Sequence, residues 1–437
     1  MKIRALVVFC LLLAALATSV WASGTKEKEP AAKGPVTVTI WDFKYGDVQG
    51  VQPAMKKIDD LIMQKNPGIK INHVGQANDN YYQLVRAAVQ AGSGPDIVMF
   101  HGGVQAYEFD DYTIDLNKYV APWRPEISEF SWAYCSAGGD GSKPVHMVPL
   151  TTQGFGIYYN KALFKKAGLD PEKAPTDIDS FMAACEKLKN AGIVPITAGL
   201  QGGPYTVDFL FRCFVANIYG NDVKDLGTGK QNFKGNAAFM KAAVYVQEMF
   251  KKGYVDPAGT STPYFMDAAN NFAAGKGAMF VGLLSDVCHW KVFADGLGNE
   301  NLGYFPTINF PEAKYKDLQV GQPAGIGYSV MKWSKNPDAA AKVIEGYARG
   351  EGNAVWMGMT GALSPNKNVD IKSLGYPLVG EILKRPFTLD FNTLLLNEDA
   401  NGNFDRYCTQ AFVSGEISLE KFVEQCQLML DNKKNAM

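Results

Sequence analysis

Residues able to do covalent chemistry are sparse and poorly spaced in this sequence. His73, His101, His146 and His289 share no ligand spacing with one another or with a cysteine pair, so they outline no metal site. There is no GxSxG, HExxH or Walker A pattern. Gly325-Ile326-Gly327-Tyr328 lacks the third glycine of a dinucleotide-binding turn. No pair of carboxylates stands in a recognisable glycosidase setting. The sequence therefore assigns no catalytic residue, and it calls for no metal and no cofactor.

Non-covalent recognition is better provided for. Aromatic residues make up 12% of the chain, and Tyr45, Phe100, Tyr205, Trp290, Tyr328 and Trp356 fall at or near expected loops. Most rings in a chain of this size pack in cores. At the carboxyl ends of strands they gain a second use, because a ring can stack on the apolar face of a hydroxyl-rich ligand while polar neighbours bond its hydroxyls. Lys44 and His101 would add affinity for an anionic group, as on a sugar acid or sugar phosphate.

The elements that would position these residues follow an α/β grammar. Val36 to Trp41 alternates as a strand, Met55 to Lys65 carries Met55, Ile58 and Ile62 at helical spacing, and Ile69 to Val74 is a second strand. Tyr81 to Ala91 is a helix ended by glycines, and Asp96 to Phe100 is a buried type of strand. Such an order predicts a parallel sheet, with ligand loops at Asp42 to Asp47 and His101 to Gly103. The same grammar returns beyond the centre of the chain. Thr176 is placed to cap a helix bearing Phe181, Cys185 and Leu188, Ile193 to Thr197 is a strand, and Phe209 to Tyr219 and Ala237 to Lys252 are helices. Ala278 to Val281 is a further strand with its carboxyl end at Gly282 to Ser285, and Gly303 to Phe305 and Gly327 to Met331 are short ones. Asp338 to Ala348, Phe404 to Val413 and Leu419 to Leu430 read as helices. Between the halves, Val145 to Leu169 sets the polar segment Thr151-Thr152-Gln153-Gly154 between two apolar strands, as expected of a chain crossing from one domain to another.

Length and composition set the bounds. A chain of 437 residues suits two or three domains, and 47% hydrophobic with 20% charged residues is ordinary for a globular protein. The formal net charge of −1, with no basic stripe, argues against nucleic acid as a partner. Lys2 and Arg4 ahead of the apolar run Ala5 to Thr18, with small residues before Ser23, read as a signal peptide over 1–22. The polar stretch 23–35 reads as a flexible tether. Cys10 sits inside the apolar run, which argues against a lipid anchor. The remaining cysteines, Cys135, Cys185, Cys213, Cys288, Cys408 and Cys426, could pair in an oxidising compartment or simply pack in the core.

With these pieces in place, the sequence resembles the extracellular solute-binding proteins of ABC sugar importers, the group that includes the maltodextrin-binding protein. The likeness is carried in order by TIW at Thr39, AGSGPDIVMF from Ala91, VPLTTQGFGIYYNKALFKKAGLDP from Val148, NAGIVPIT from Asn190, FAAGKGAMFVG from Phe272 and TGALSPNK from Thr360. It implies a two-domain α/β periplasmic-binding-protein fold of type II, hinged and with discontinuous domains. The expected domains are 36–151 plus 307–362, and 152–306 plus 363–437. It further implies a monomer outside the cytoplasm that binds a small carbohydrate and delivers it to transmembrane permease subunits, without catalysis. By the same resemblance Phe100 takes the place of a sugar-stacking Trp, Gly103 of a hydroxyl-binding Asp and Gln153 of a pocket Glu. Tyr205 matches a stacking Tyr, and Leu284, next to Ser285, replaces a stacking Trp, with Trp290 a few residues on. Arg406 matches a pocket Arg with Phe404 near it. The missing carboxylates point away from maltodextrin itself.

Overall fold

The computed structural model describes residues 34–47, 51–77, 80–132, 134–135, 144–200, 210–211, 213–215, 217, 224–227, 230–260, 265–283, 289–313, 316, 318–322, 324–370, 378, 387–389 and 409–436. Val36–Met437 forms a compact unit distinct from Met1–Pro35. The expected signal peptide and nearly all of the tether lie outside the described residues.

The first sheet contains β1 (Val36–Asp42), β2 (Ile69–Gly75), β3 (Ile97–His101), β4 (Val148–Pro149) and β10 (Ile326–Val330), in the order β2-β1-β3-β10-β4. The parallel pairings β1–β2 and β1–β3 are those expected from strand–helix alternation. β10 joins antiparallel to β3 and to β4, a direction that no local pattern encodes. Val38 and Ile40 alternate inward along β1 and are fully buried. Helix α1 (Val51–Lys65) lays Val51, Ala54, Met55, Ile58 and Ile62 against the sheet at helical spacing. Helix α2 (Tyr81–Ala91) ends where Gly92 turns to a φ of 61° and its N–H and that of Ser93 recover the last carbonyls.

The second sheet contains β5 (Gln153–Asn160), β6 (Val194–Ile196), β7 (Gly277–Leu283), β9 (Gln319–Gln322) and β11 (Phe387–Leu389), ordered β11-β9-β5-β7-β6, with β8 (Leu302–Phe305) paired to β5. Here β5 is the organising strand, antiparallel to β7, β8 and β9. Around it stand α3 (Ile178–Asn190), α4 (Ala237–Lys251), α5 (Phe265–Ala273), α6 (His289–Leu297) and α9 (Leu419–Ala436), while α7 (Pro337–Ala348) and α8 (Gly350–Thr360) return to the first layer. Phe422 of α9 stacks on Phe412 at 4.4 Å and faces Phe239 of α4, so the C-terminal helix completes the second core. The cap of α3 is Asp177 rather than Thr176, because the Asp177 carboxyl accepts the Ser180 N–H while the Ser180 hydroxyl accepts the Asp177 N–H. Cys135, Cys185, Cys213 and Cys426 are buried in the cores, whereas Cys288 and Cys408 lie outside the described residues.

Among the described residues three passages link the two layers, and they correct the expected boundaries. The first is short: β4 ends at Pro149 in one sheet and β5 begins at Gln153 in the other. The second lies between β9 and β10 and not at 307, since Gln322 still pairs with Gln153 and Val320 with Phe155 in the second sheet. The polar QVGQ strand has no apolar pattern to announce it; it is recruited by the edge of β5. The third passage begins at Gly361, where α8 ends in a left-handed turn. It is less abrupt than a change of domain at 363 would imply. Leu363 packs with the α5–α6 cluster, while Pro365 and Lys367 still bond to Ser128 and Glu126 of the first layer.

Candidate functional site

Backbone hydrogen bonds knot the passages to one another. The Leu150 N–H donates to the Ile326 carbonyl (2.9 Å), Gly325 N–H to the Thr151 carbonyl (2.9 Å), and Thr152 N–H to the Leu363 carbonyl (2.7 Å). The Thr151 hydroxyl accepts the Ile326 N–H at 3.0 Å, and the Trp290 indole N–H donates to the Gly361 carbonyl at 2.5 Å. The first two passages span only a few residues each, and such a junction can flex about a few torsions while both sheets stay intact.

Against this junction lies the end of β3. Gly102 donates to the Gly325 carbonyl, and a Cβ at Gly102 would sit 2.1 Å from the Ala324 carbonyl oxygen. Gly103 follows with a φ of 86°, a conformation that suits glycine, and its carbonyl accepts the N–H groups of Ala106 and Tyr107. The Gly102–Gly103 pair thus brings the β3 loop into backbone contact with a passage. Gly102→Ala should force that passage aside and lower stability by about 1–3 kcal/mol, read from urea denaturation.

Beside it, at the end of β1, lies a cluster of rings and charges. Phe43 stacks on His101 at 4.6 Å, with the Lys44 ammonium 5.4 Å from the Phe43 centroid. The Tyr82 hydroxyl accepts the His101 backbone N–H (3.1 Å), lies 2.9 Å from His101 Nδ1 and donates to Gln105 Oε1 (3.2 Å). Tyr45 stacks on His73 at 4.2 Å. Lys44, Tyr45 and His101 are half-buried, so of the expected ligand residues these three combine partial exposure with a place at a strand's carboxyl end.

Other expected ligand residues are placed differently, and four of them are corrected. Phe100 has no exposed surface, because it is stacked at 4.8 Å on Phe109 in the core of the first layer. Trp290 is buried and its indole N–H is spent on Gly361. Tyr328 is buried and donates its hydroxyl to Asp42 Oδ2 at 2.5 Å. Trp356 is buried on α8. In each case the ring sits on the face of its strand or helix that meets the core, which loop proximity in sequence does not reveal. Gln153 opens β5 next to the first passage. Tyr205, Leu284, Ser285, Phe404 and Arg406 lie outside the described residues.

The structure also brings together residues with no evident motif. Asp42, His73, Asp59 and Tyr347 form a buried chain of hydrogen bonds beneath Tyr45. Burial disfavours a charged His73 ring, but hydrogen bonds to Asp42 and Asp59 and their charges outweigh it and raise its pKa from 6.5 to about 9. The only signal in the sequence is an Asp ending one strand and a His near the end of the next, and it gains meaning once β1 and β2 are paired.

A family model described as bacterial extracellular solute-binding protein matches residues 45–352. The sn-glycerol-3-phosphate-binding periplasmic protein UgpB of Escherichia coli (strain K12) is 26% identical over 363 residues, covering 77% of this chain and 76% of that protein. Among solved structures, a chitin oligosaccharide binding protein is similar with a TM-score of 0.80 at 20% identity, covering 91% of this chain and 99% of that one. A maltose-bound MalE3 of T. maritima is similar with a TM-score of 0.71 at 19% identity, covering 90% and 99%. Both are similar in fold. No helix among the described residues is long and apolar enough to cross a membrane. With two α/β layers joined, among the described residues, through three passages, the chain has the hinged two-domain periplasmic-binding-protein fold and belongs to the family of bacterial extracellular solute-binding proteins.

Proposed function

We propose that this protein captures a mono- or oligosaccharide between its two layers and delivers it, chemically unchanged, to the permease of an ABC importer on the outer face of the cytoplasmic membrane. The observation that carries this is the knot of three passages, Leu150–Thr152, Ala324–Ile326 and Gly361–Leu363, set against the carboxyl ends of β1 and β3. Such a junction lets two rigid layers close on a ligand that contacts both, so that binding shifts the population from open to closed. The stretch 1–22 would direct export, and 23–35 would leave the binding unit free to move. Lys44, Tyr45, His101, Gly103 and Gln153 stand at the junction end of the sheets, and on the family resemblance Tyr205, Leu284, Ser285, Phe404 and Arg406 would complete the site.

A second reading is a phosphorylated or acidic polyol. It is favoured by Lys44 and His101, both set against the Phe43 ring, and by the relative named for sn-glycerol 3-phosphate. Melting curves with chitin oligosaccharides, maltose, stachyose and sn-glycerol 3-phosphate separate the two. A true ligand at 100 times its Kd should add about 2.7 kcal/mol of stability. A shift with the phosphate alone selects the second reading, and no shift with any compound removes both. Mass spectrometry of the recovered ligand completes the test, because turnover to product would make the protein a secreted carbohydrate-active enzyme instead.

A further inference from the structure

After β1 the chain turns at Phe43 into a single helical turn, Lys44–Asp47, and a charge cluster that reaches across the first layer holds it. Asp42 Oδ1 accepts the backbone N–H groups of Lys44 (2.5 Å) and Tyr45 (3.1 Å). Its Oδ2 accepts the Tyr328 hydroxyl from β10 (2.5 Å) and faces His73 Nε2 at 3.3 Å. His73 Nδ1 faces Asp59 Oδ2 of α1 at 3.0 Å, and Asp59 Oδ1 accepts the Tyr347 hydroxyl from α7 at 2.6 Å.

Each ring nitrogen of His73 therefore meets a carboxyl oxygen, and opposite two ionised carboxylates, which only accept, both nitrogens must carry protons. The resulting imidazolium is 3% exposed, between an Asp42 side chain with no exposed surface and an Asp59 side chain at 8%. The titratable groups around it are Asp42 on β1, Asp59 on α1, Tyr328 on β10, Tyr347 on α7 and the stacked Tyr45, with Asp60 and Tyr81 acting at longer range. Two buried carboxyl groups without the cation between them would repel each other, and Asp42 would no longer be fixed where it holds the two loop amides.

We propose that His73 is the positioning residue of the ligand-binding segment Phe43–Asp47: its imidazolium pins Asp42, which fixes the first amides of the helical turn Lys44–Asp47, and supports the Tyr45 ring from below. His73 acts through these neighbours and not by touching ligand. The inference rests on the solute-binding reading for the loop's purpose, but the clamp itself can be tested without any ligand.

The test uses the full chain with His73→Gln and Asp59→Asn. Amide hydrogen exchange at Lys44 and Tyr45 should quicken about tenfold or more in His73→Gln, while amides of β5 stay as in the wild type; tenfold corresponds to about 1.4 kcal/mol, the low end for bonds to charged groups. Unchanged exchange at Lys44 and Tyr45 overturns the proposal. Maltose, stachyose and sn-glycerol 3-phosphate serve as binding probes. For a probe that binds, Kd should hold steady below pH 8 and rise about tenfold as the pH passes the His73 titration near 9. In Asp59→Asn that rise should move down by about one pH unit, since one of the two acids stabilising the cation is gone. A rise at the same pH in both proteins overturns the proposal, because a purely structural role of Asp59 would not shift it. If His73→Gln does not fold, Asp59→Asn carries both readouts. If no probe binds the wild type, the solute reading fails, while the exchange data still decide whether His73 positions the loop.

Discussion

Asp42→Ala should lower the unfolding free energy by about 3–5 kcal/mol, the usual cost of removing one partner from a buried charged pair. The Asp42 side chain is fully buried and accepts from two amides and the Tyr328 hydroxyl while facing His73, so alanine strands every one of those donors. Its fingerprint is in the pH dependence. The folded pKa of His73, about 9, lies above the ordinary 6.5, so the folded state holds the proton more tightly than the unfolded chain. The stabilisation is complete below pH 6.5 and is lost as the pH rises through about 9; the difference corresponds to about 3 kcal/mol. Urea denaturation of the wild type at pH 6 and pH 9.5 should show this loss. Asp42→Ala should show a smaller one, because one source of the raised pKa has gone. A variant as alkali-sensitive as the wild type would mean that Asp42 does not hold the cation.

Phe100→Ala should also cost about 3–5 kcal/mol, by leaving a cavity in the first core. Its ring is stacked on Phe109 at 4.8 Å, faces Tyr82 at 6.3 Å and has no exposed surface. If the ring instead served ligand stacking, as its position in sequence suggests, removing it would weaken binding and spare the melt. Urea denaturation without ligand, followed by titration of the folded fraction, distinguishes the two. A stable Phe100→Ala with lost affinity would return Phe100 to the site.

Where the sequence carried periodic signals, the structure agrees closely. Val36–Asp42, Tyr81–Ala91 and Pro337–Ala348 are legible because alternation and helical spacing are local and end in glycine or turn residues. The crossing around Thr151 was legible for a related reason: polar residues between two buried strands have to satisfy their backbone outside a sheet ladder. The Gln319–Gln322 strand was not, since its place depends on pairing with β5 and β11, both far away in the sequence. Boundaries that hung on it moved with it.

The candidate site divides along the same line. Residue types alone made enzyme chemistry unpromising and made ring-and-hydroxyl recognition attractive, and the strand ends at Asp42 and His101 marked where such recognition would sit. Tertiary structure decided which rings face outward. Tyr45 and His101 keep partial exposure, while Phe100, Trp290, Tyr328 and Trp356 turn into packing, because orientation depends on which face of each element meets a core assembled from distant segments. It also joined Asp42, Asp59, His73 and Tyr347, residues 288 positions apart at the widest hydrogen bond between them. A sequence fixes the types and order of its residues, but a buried cation between two carboxyl groups exists only after β1, β2, α1 and α7 have packed and removed the water.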